Sequence, residues 1–593
     1  MGNYRNFKLV YYFVAQGTAH AEKEKLEKDI AFFEKYMRVD KVYLEPFRSG
    51  VMADEEHVEL CRKVFESHGV EVAGGLTTTI LTPEGDEPKQ RLFDTFCYND
   101  EKMVKRLQDV CTFLGKHFNE FIIDDFFFTN CTCEACRKGR DQFNAAHGIA
   151  DRSWKEYRLA LMEKVSRDYI IAPAKAANPD CRITIKYPNW AESYQETGYN
   201  PAAQRKLFDR IYTGTEARDT ITTDQHLPRY LSYSLMTYFE NMRPGFNGGG
   251  WFDPFDLQIT EQYLEQAYLT AFSKPKEIMM FCFQSLLDHP FVPPLGYHLD
   301  KLDEILDHCG SPSGIPCYLP DNCQGEDNIQ DFLGMCGLPI MLTPYWPEKA
   351  ASILLTRSSA CDPEIVEKLE TYVAGGGKAL VTSGFLEAAM DRGIQRMTSI
   401  RLPGRKIRGR RWRVENQIPG PFGRQSMEYP SGTEEIGIPV CEFRNNATWA
   451  VVKVGESEES FGVLLKDTYG KGQLWTLTVP DNFPDLYKFP GKALTRIRQE
   501  FHTGSYLECR AGISLFPYDN DTLIVYPYVT SVSQPASGYL HVAGEAKALE
   551  MPVRKDFRTG KPLRISPLYT RGGETVFELR FMPGKYELYK ILR

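Results

Sequence analysis

The sequence predicts an α/β protein with a TIM-type (β/α)₈ barrel, then a doubly wound α/β domain and a C-terminal antiparallel β-sandwich. In the first half, eight short apolar runs alternate with amphipathic helical stretches, which is typical of buried parallel strands. A second α/β series follows, and from about residue 504 apolar residues alternate with period two. We place the three domains at residues 1–311, 312–503 and 504–593.

The predicted barrel strands are regularly separated by segments with the 3.6-residue period of a helix. The strands are predicted at residues 8–16, 40–50, 70–80, 118–128, 181–190, 210–219, 246–253 and 276–285. Helices are predicted at residues 22–37, 54–69, 100–117 and 153–179, with further helical stretches after the later strands. The number of repeats, more than any one strand, indicates a closed barrel.

The second half shows two further patterns. In YVAGGGKALVTSG (372–384), a helix, a glycine turn and a buried strand follow one another, as in a doubly wound domain. The basic, Gly- and Pro-rich segment 401–424 is predicted as an excursion from that domain. Segments such as TLIVYPYV and TVFELRF then predict the antiparallel strands of a small β-sandwich.

The composition excludes several classes of partner. The formal net charge is -8, which argues against a nucleic acid or an anionic membrane surface as partner. No apolar run is long enough to span a bilayer, and the first sixteen residues show no signal-peptide cleavage site. A cytoplasmic and a periplasmic location both stay open. Aromatic residues make up 13% of the chain, which suits a carbohydrate cleft as well as core packing.

Three cysteines follow the predicted fourth strand in FIIDDFFFTNCTCEACRKGR, residues 121–140. Thiolates bind Zn²⁺ well, and a structural site needs four ligands. Cys131, Cys133 and Cys136 supply three, and Cys97 lies in the preceding barrel loop at the same end of the barrel. We therefore predict a structural zinc ion on these four cysteines. Free thiols and a disulfide are the alternatives.

This loop resembles that of the glycoside hydrolase family 42 β-galactosidases, many of which carry such a zinc cluster. The family also has a barrel, a doubly wound trimerisation domain and a small β domain in this order. The resemblance implies a carbohydrate substrate and a homo-oligomer, dimer or trimer, with the middle domain in subunit contacts. It also implies the general acid/base at Asp125 and the nucleophile at Asp253. The family has Asn-Glu where this chain has Asp124-Asp125, and Glu at the nucleophile, so this chain is divergent at the catalytic acids.

Acids recur at the predicted C-terminal ends of the barrel strands, where active sites of such barrels lie. They are Glu45, Asp124, Asp125, Glu216 and Asp253. Glycoside hydrolysis needs two carboxylates, ~5–5.5 Å apart for retention and ~6.5–9.5 Å for inversion. Each Glu-to-Asp change retracts a carboxylate by ~1.5 Å, so a pair of Asp125 and Asp253 favours inversion. A pair of a strand-four aspartate with Glu216 is the alternative, as in several α-glycosidase barrels.

Polar and aromatic residues near the same strand ends are predicted to bind the sugar, because hydroxyls need polar partners and sugar faces pack on aromatic rings. These predicted substrate-binding residues are Glu45, Arg48, Lys186, Tyr187, Asn189, Trp190, His226 and Trp251, with Gln225 beside His226. The three glycines of FNGGGWFD (246–253) are consistent with close approach of a ligand or with a strained turn. No Lys-Ser/Thr follows them, so this is not a phosphate loop.

The sequence thus predicts a glycoside hydrolase. A non-catalytic carbohydrate-binding or oligomerising barrel is the alternative. Two other activities are disfavoured. An all-thiolate zinc site has no open position for water, which argues against a zinc hydrolase. The middle domain lacks a nucleophilic cysteine elbow at VTSGF, which argues against amidotransferase activity.

Overall fold

The structure is a computed structural model that describes residues 3–80, 94–150, 153–219, 227–417, 425–428, 431–456, 459–529 and 534–593. The chain divides into two compact units, residues 1–226 with 243–303, and residues 227–242 with 304–593. The helix Leu231–Met242 follows a barrel strand in sequence but belongs to the second unit. The predicted domain boundaries at residues 311 and 503 stay predictions.

The first unit contains a closed barrel of eight parallel strands, so the predicted fold is confirmed. The strands are β1 (Lys8–Phe13), β2 (Lys41–Arg48), β3 (Glu71–Leu76), β4 (Glu120–Ile123), β5 (Arg182–Tyr187), β6 (Arg210–Gly214), β7 (Asn247–Phe252) and β8 (Glu277–Met280). Each strand pairs in parallel with the next, and β1 pairs with both β2 and β8, which closes the barrel. A short strand, Val51–Met52, pairs antiparallel with the end of β2.

Helices follow the barrel strands as the apolar period predicts. Their ranges in chain order are Ala15–Ala19, Lys23–Glu34, Glu55–Ser67, Glu101–His117, Glu134–Ala146, Lys155–Lys164, Ala172–Ala177, Tyr194–Thr197, Pro201–Gln204, Thr260–Phe272, Phe283–Leu287 and Val292–Leu306. A π-helical segment, Val165–Ile171, joins two of them. Asp54 and Asp100 cap their helices by accepting hydrogen bonds from backbone N–H groups.

Large side chains fill the interior of the barrel. Tyr12, Tyr43, Tyr212 and Trp251 pack there with smaller apolar residues. The glycine run before Trp251 makes room for this packing, because a Cβ on Gly249 would lie 2.7 Å from the Tyr212 ring. The run belongs to β7, and none of its three glycines has a positive φ, so the expected strained turn is wrong, whereas the expected approach of a ligand stays a prediction.

The second unit contains a mixed sheet with a parallel half and an antiparallel half. In spatial order its strands are Ile340–Thr343, Ile315–Tyr318, Ser352–Leu355, Lys378–Thr382, Gly472–Leu477, Ser460–Tyr469, Trp449–Gly455, Lys406–Gln417 and Gln425–Glu428. The first five pair in parallel and the rest antiparallel, with Ser431–Pro439 also paired to Lys406–Gln417. The basic segment predicted as an excursion thus contributes a strand to the sheet. Helices of this unit include Ile329–Met335, Ile365–Ala374, Ser383–Ala389 and Gly491–Glu500.

The C-terminal segment forms the predicted pair of antiparallel sheets. One contains Ser505–Glu508, Ala536–Ala543, Glu574–Phe581 and Tyr569–Arg571. The other contains Ile513–Pro517, Thr522–Pro527, Glu587–Leu592, Ala548–Lys555 and Pro562–Ile565. Alternate residues of both sheets form one apolar core. Among the described residues, no helix has the length and apolar character needed to cross a membrane.

Candidate active site

A cavity of about 480 Å³ opens at the C-terminal ends of the barrel strands, within the size range of small-ligand pockets. Acids, bases and aromatic rings line it together. The lining residues are Val14, Arg48, Asp124, Asp125, Phe126, Phe128, Lys186, Asn189, Trp190, Glu216, Arg218, Trp251, Asp253, Phe255, Phe281 and Cys282.

Strand ends bring four of the five predicted acids into this cavity. Asp124 and Asp125 directly follow β4, Glu216 follows β6 by two residues, and Asp253 directly follows β7. Because all eight strands are parallel, these ends meet at one end of the barrel. The fifth acid, Glu45, does not line the cavity.

Lys186, near the end of β5, connects two of these acids. Its Nζ atom lies 2.7 Å from Asp125 Oδ2 and 2.7 Å from Glu216 Oε1. The side chain is 2% exposed, and Nζ lies 4.2 Å from the centre of the Trp251 ring. The two carboxylate oxygens therefore lie at most 5.4 Å apart, twice the contact distance.

Asp125 and Glu216 both line the cavity, and Lys186 is a described donor to both carboxylates. Glu216 is 3% exposed, and its Oε2 atom is buried and accepts no hydrogen bond from the part of the chain that the structure describes. The Asp125 side chain is 20% exposed and faces the cavity. Burial, with Asp124 and Glu216 nearby, raises the pKa of Asp125 to about 7, although Lys186 opposes the shift. Burial and Asp253 also raise the pKa of Glu216.

Asp124, in contrast, is held by protein donors. Arg48 Nη2 donates to Asp124 Oδ2 at 2.6 Å, and the Thr77 hydroxyl donates to the same oxygen at 3.1 Å. Burial opposes ionisation of Asp124, but Lys186 and Arg48 outweigh it and hold the pKa below its usual range. This carboxylate is therefore ionised and fixed in place.

Glu45 lies beneath the cavity and is fully engaged. Its carboxylate accepts hydrogen bonds from the Tyr12 hydroxyl at 2.7 Å, the Ala15 N–H at 3.0 Å and Arg48 Nε at 2.7 Å. The Thr77 hydroxyl lies between Glu45 Oε1 and Asp124 Oδ2, so its single proton is shared between these two carboxylates. Glu45 is fully buried, and its hydrogen bond with Arg48 Nε orients the Arg48 side chain. The predicted contact of Glu45 with a sugar stays a prediction.

Asp253 forms a bidentate ion pair with Arg218. Arg218 Nη2 and Nε donate to the two carboxylate oxygens at 2.6 and 3.1 Å, and the Phe255 N–H donates at 3.2 Å. Arg218 lies in the left-handed region of backbone conformation, with φ at 52°. Arg218 is only two residues from Glu216 in the sequence, but its guanidinium group pairs with Asp253.

The remaining predicted sugar ligands divide into three groups. Trp190 and Trp251 line the cavity, and so does Asn189, whose Nδ2 donates to the Glu216 carbonyl at 2.7 Å. Tyr187 is buried away from the cavity and donates to Gln204 Oε1 at 2.8 Å. His226 and Gln225 lie outside the described residues.

Several lining residues were not singled out from the sequence. Arg218 lies four residues past the end of β6, and Phe281 directly follows β8. Phe126, Phe128 and Phe255 follow the acids of β4 and β7 by one to three residues. Their position just after a predicted strand could have indicated that they line the site, because residues at the C-terminal ends of the strands surround the mouth of such a barrel.

The four predicted metal ligands lie together: Cys97, Cys131 and Cys133 are in the loops after β3 and β4, and Cys136 is in the first turn of the helix Glu134–Ala146. All four sulfur atoms are within 4.8 Å of one another. Cys97 Sγ lies 3.6 Å from Cys136 Sγ, 3.7 Å from Cys133 Sγ and 3.8 Å from Cys131 Sγ. No disulfide joins these described cysteines. The group could hold a metal ion, and Asn99 Nδ2 contacts Cys136 Sγ at 3.2 Å.

Comparison with known proteins identifies the family. Over 553 residues the chain is 32% identical to "Uncharacterized protein SSO3021" of Saccharolobus solfataricus, covering 87% of this chain and 88% of that protein. The chain belongs to the SSO3021 family. Residues 310–482 match the family model described as the second domain of SSO3021. Residues 1–294 match the model described as "Probable glycosyl hydrolase, catalytic domain", which supports a glycoside hydrolase function for the barrel.

Solved structures show the same fold over the full chain. The α-L-fucosidase isoenzyme 2 from Paenibacillus thiaminolyticus has a TM-score of 0.62 at 11% identity and covers 100% of both chains. Gan42B, a GH42 β-galactosidase from G. stearothermophilus, has a TM-score of 0.60 at 11% identity and covers 99% of both chains. The predicted family 42-like architecture, divergent at the catalytic acids, is confirmed. At such identities the likeness shows the fold alone.

Proposed function

We propose that the barrel is a retaining glycoside hydrolase in which Asp125 and Glu216 are the two catalytic carboxylates. The contact of both with one buried ammonium group is the observation that supports this pair. Asp125 Oδ2 and Glu216 Oε1 lie at most 5.4 Å apart, so the two carboxyl groups are close enough for the ~5–5.5 Å separation of retaining enzymes. Asp253 is a weaker partner because Arg218 engages both its oxygens.

We assign the general acid/base to Asp125 and the nucleophile to Glu216. A pKa of about 7 lets Asp125 be protonated at the start of the reaction and ionised later. Glu216 lines the cavity, and no described residue donates a hydrogen bond to its buried Oε2, so we assign the attack to this oxygen after a side-chain rotation that turns it towards the substrate. Arg48 and Lys186 neutralise Asp124, which acts as a positioning residue.

The proposed reaction has two balanced steps. Asp125 donates its proton to the glycosidic oxygen while Glu216 Oε2 attacks the anomeric carbon, so the glycosidic bond breaks and a glycosyl–Glu216 ester forms. The ionised Asp125 then takes a proton from water, whose oxygen attacks the same carbon and releases Glu216. Two inversions at the anomeric carbon give net retention.

The cavity suits an uncharged sugar. Its aromatic side chains offer faces for the C–H groups of a sugar ring. Its described cations, Arg48, Lys186 and Arg218, each contact carboxylates of the protein. A sugar carboxylate or sulfate would thus meet cations that are already neutralised and would lie near several acids.

We also infer that Cys97, Cys131, Cys133 and Cys136 hold a structural Zn²⁺. Four sulfurs at ~2.3 Å from a tetrahedral zinc ion would be ~3.8 Å apart. The three distances from Cys97, at 3.6–3.8 Å, agree with this value. With four thiolates the ion has no open position, so we assign it to stabilising the loop that follows Asp125.

The test combines a substrate panel with product stereochemistry. Wild-type protein would be assayed with 4-nitrophenyl α- and β-glycosides of D-galactose, L-fucose, D-glucose and D-mannose. Proton NMR would then record the anomer released first from the best substrate. We expect hydrolysis with retention. Inversion would contradict the Asp125–Glu216 pair, and sugar binding without turnover on the whole panel would favour the non-catalytic alternative.

A further inference from the structure

Lys186 occupies a position that a simple sugar-binding residue would not. It is 2% exposed, and its Nζ bonds two carboxylates from different strand ends. Asp124 Oδ1 lies 3.6 Å away, and the Trp251 ring covers another side. Little of this ammonium is left for a sugar hydroxyl, so its interactions are with the catalytic pair.

We propose that Lys186 is a positioning residue that keeps the Asp125–Glu216 pair at one shared proton. This inference rests on the proposed function of that pair. A retaining pair must start with one protonated and one ionised carboxyl group. Two carboxylates this close disfavour double ionisation, whereas a bonded ammonium disfavours double protonation. The repulsion between the carboxylates separates the two ionisations, and the ammonium lowers the pKa of both, so that the singly protonated state falls in the working pH range.

The other acids around the pair form ion pairs with arginine side chains of the protein. Asp124 is bonded by Arg48, which also bonds Glu45. On the opposite side, Asp253 is bonded by Arg218. The Tyr199 hydroxyl donates to the Asp125 carbonyl oxygen and not to its carboxylate. Lys186 is therefore the described cation bonded directly to the pair.

The electrostatic environment agrees with this geometry. Burial disfavours the charged form of Lys186, but Asp125, Glu216 and Asp124 outweigh it and raise the pKa of Lys186. The ammonium thus stays charged throughout the working pH range. Lys186 in turn opposes the upward shift of the pKa of both Asp125 and Glu216.

The first readout is an infrared titration of the protonated carboxyl C=O bands, which requires no turnover. Asp125→Asn and Glu216→Gln assign the bands of the pair. In wild-type protein one proton of the pair should be lost near neutral pH. In Lys186→Met the bands should persist to a pH higher by about 1–3 units, because a nearby opposite charge lowers a carboxyl pKa by that amount. Lys186→Arg should stay close to wild type.

The second readout is the pH dependence of kcat/KM on the aryl glycoside that the wild type hydrolyses best. Lys186→Met should move both limbs of the profile to higher pH, because both carboxyl groups of the pair lose the cation that lowers their pKa. Lys41→Met is the matched control, because Lys41 is equally buried and lies 2.6 Å from Glu120 and 3.3 Å from Glu277 at the other end of the barrel. Its limbs should not move.

The outcomes separate the inference from the proposed function. If Lys186→Met changes only KM, and leaves both the pH profile of kcat/KM and the titration of the carboxyl bands as in wild type, the inference is overturned and Lys186 is a sugar ligand. A wild type that hydrolyses nothing would refute the proposed function, while the infrared titration still decides the shared proton. If Lys186→Met does not fold, the infrared titration of the wild-type protein is the test. The inference requires that one carboxyl group of the pair is protonated below pH ~7. A wild-type spectrum without this protonated carboxyl band would overturn the inference.

Discussion

Each end of the barrel contains a buried lysine between two carboxylates. At the N-terminal end, Lys41 contacts Glu120 at 2.6 Å and Glu277 at 3.3 Å. At the C-terminal end, Lys186 contacts Asp125 and Glu216 at 2.7 Å each. Both clusters place a lysine that is 2% exposed between two carboxylates, and yet we assign function to only one of them.

The difference lies in which oxygens are satisfied. At the N-terminal end every carboxylate oxygen accepts a hydrogen bond: Arg182 and the hydroxyls of Tyr43 and Tyr212 bond the oxygens that Lys41 leaves. At the C-terminal end no described residue donates a hydrogen bond to Glu216 Oε2, and both Asp125 and Glu216 line a cavity. A buried ion network alone is thus no sign of catalysis, whereas an unsatisfied oxygen beside a cavity is a reason to propose it.

The largest expected effect separates the two clusters by activity. Asp125→Asn and Glu216→Gln should each lower kcat/KM by about 10²–10⁴-fold, the usual contribution of a positioned acid, base or nucleophile. The matched control, Glu277→Gln, removes a charge from the N-terminal cluster. We expect the folded Glu277→Gln protein to keep the wild-type kcat. An equal loss of kcat/KM in all three variants would contradict the difference between the two ends of the barrel.

The second prediction separates the clusters by the pH dependence of stability. A folded-state pKa of about 7 makes Asp125 an unfavourable charge in the folded protein. Stability is therefore lost as pH rises from ~4, the unfolded value, towards 7. Asp125→Asn should stabilise the protein at pH 8, by on the order of a few kcal/mol, and by less at pH 5.

Glu120→Gln should have the opposite effect on stability. Burial opposes ionisation of Glu120, but Lys41, Tyr43 and Arg182 outweigh it and lower its pKa. This carboxylate stabilises the folded state above its unfolded pKa of ~4.3, and the contribution is lost as pH falls through the folded value. The variant should therefore be less stable than wild type at pH 8. Thermal unfolding at pH 5 and pH 8 measures both variants, and the same sign for both would contradict the comparison.

Much of this arrangement could be predicted from the sequence, because it depends on period and order. Eight apolar runs that alternate with helical stretches predicted the barrel. Residues in the loops that follow parallel strands, such as Asp125 and Cys131, lie at the same end of the barrel. What could not be predicted are pairings across the barrel. The sequence places Arg218 two residues from Glu216, but the side chain bonds Asp253 instead. The bridging position of Lys186 likewise depends on side-chain directions that no spacing reveals.

The zinc loop should affect stability more than chemistry. Cys133→Ser, or removal of zinc by a chelator, should lower Tm, because structural zinc sites contribute folding free energy. Loss of each kcal/mol corresponds to about 2–4 °C for a domain of this size. The folded fraction should keep a kcat close to wild type. Cys361→Ser changes an exposed cysteine outside the cluster and is the control. Metal analysis that finds no zinc, with an unchanged Tm for Cys133→Ser, would contradict the site.

The smallest expected effect concerns substrate charge. A 4-nitrophenyl glucuronide or galacturonide should react more slowly than the neutral glycoside of the same ring configuration. We expect about 1–2 kcal/mol of discrimination, roughly tenfold or more in kcat/KM, because like charges across an interface repel. Equal or faster hydrolysis of the uronide would show that a cation of the cavity is free to bind it.

The central claim is that Glu216 attacks the sugar with its unbonded oxygen. The most direct test is to incubate the protein with a 2-deoxy-2-fluoro glycoside, bearing a reactive leaving group, of the sugar that the panel selects. Mass spectrometry of the digested protein then locates the trapped glycosyl ester. The account predicts an adduct of one sugar per chain on Glu216. An adduct on Asp253, Asp124 or Asp125 would contradict it.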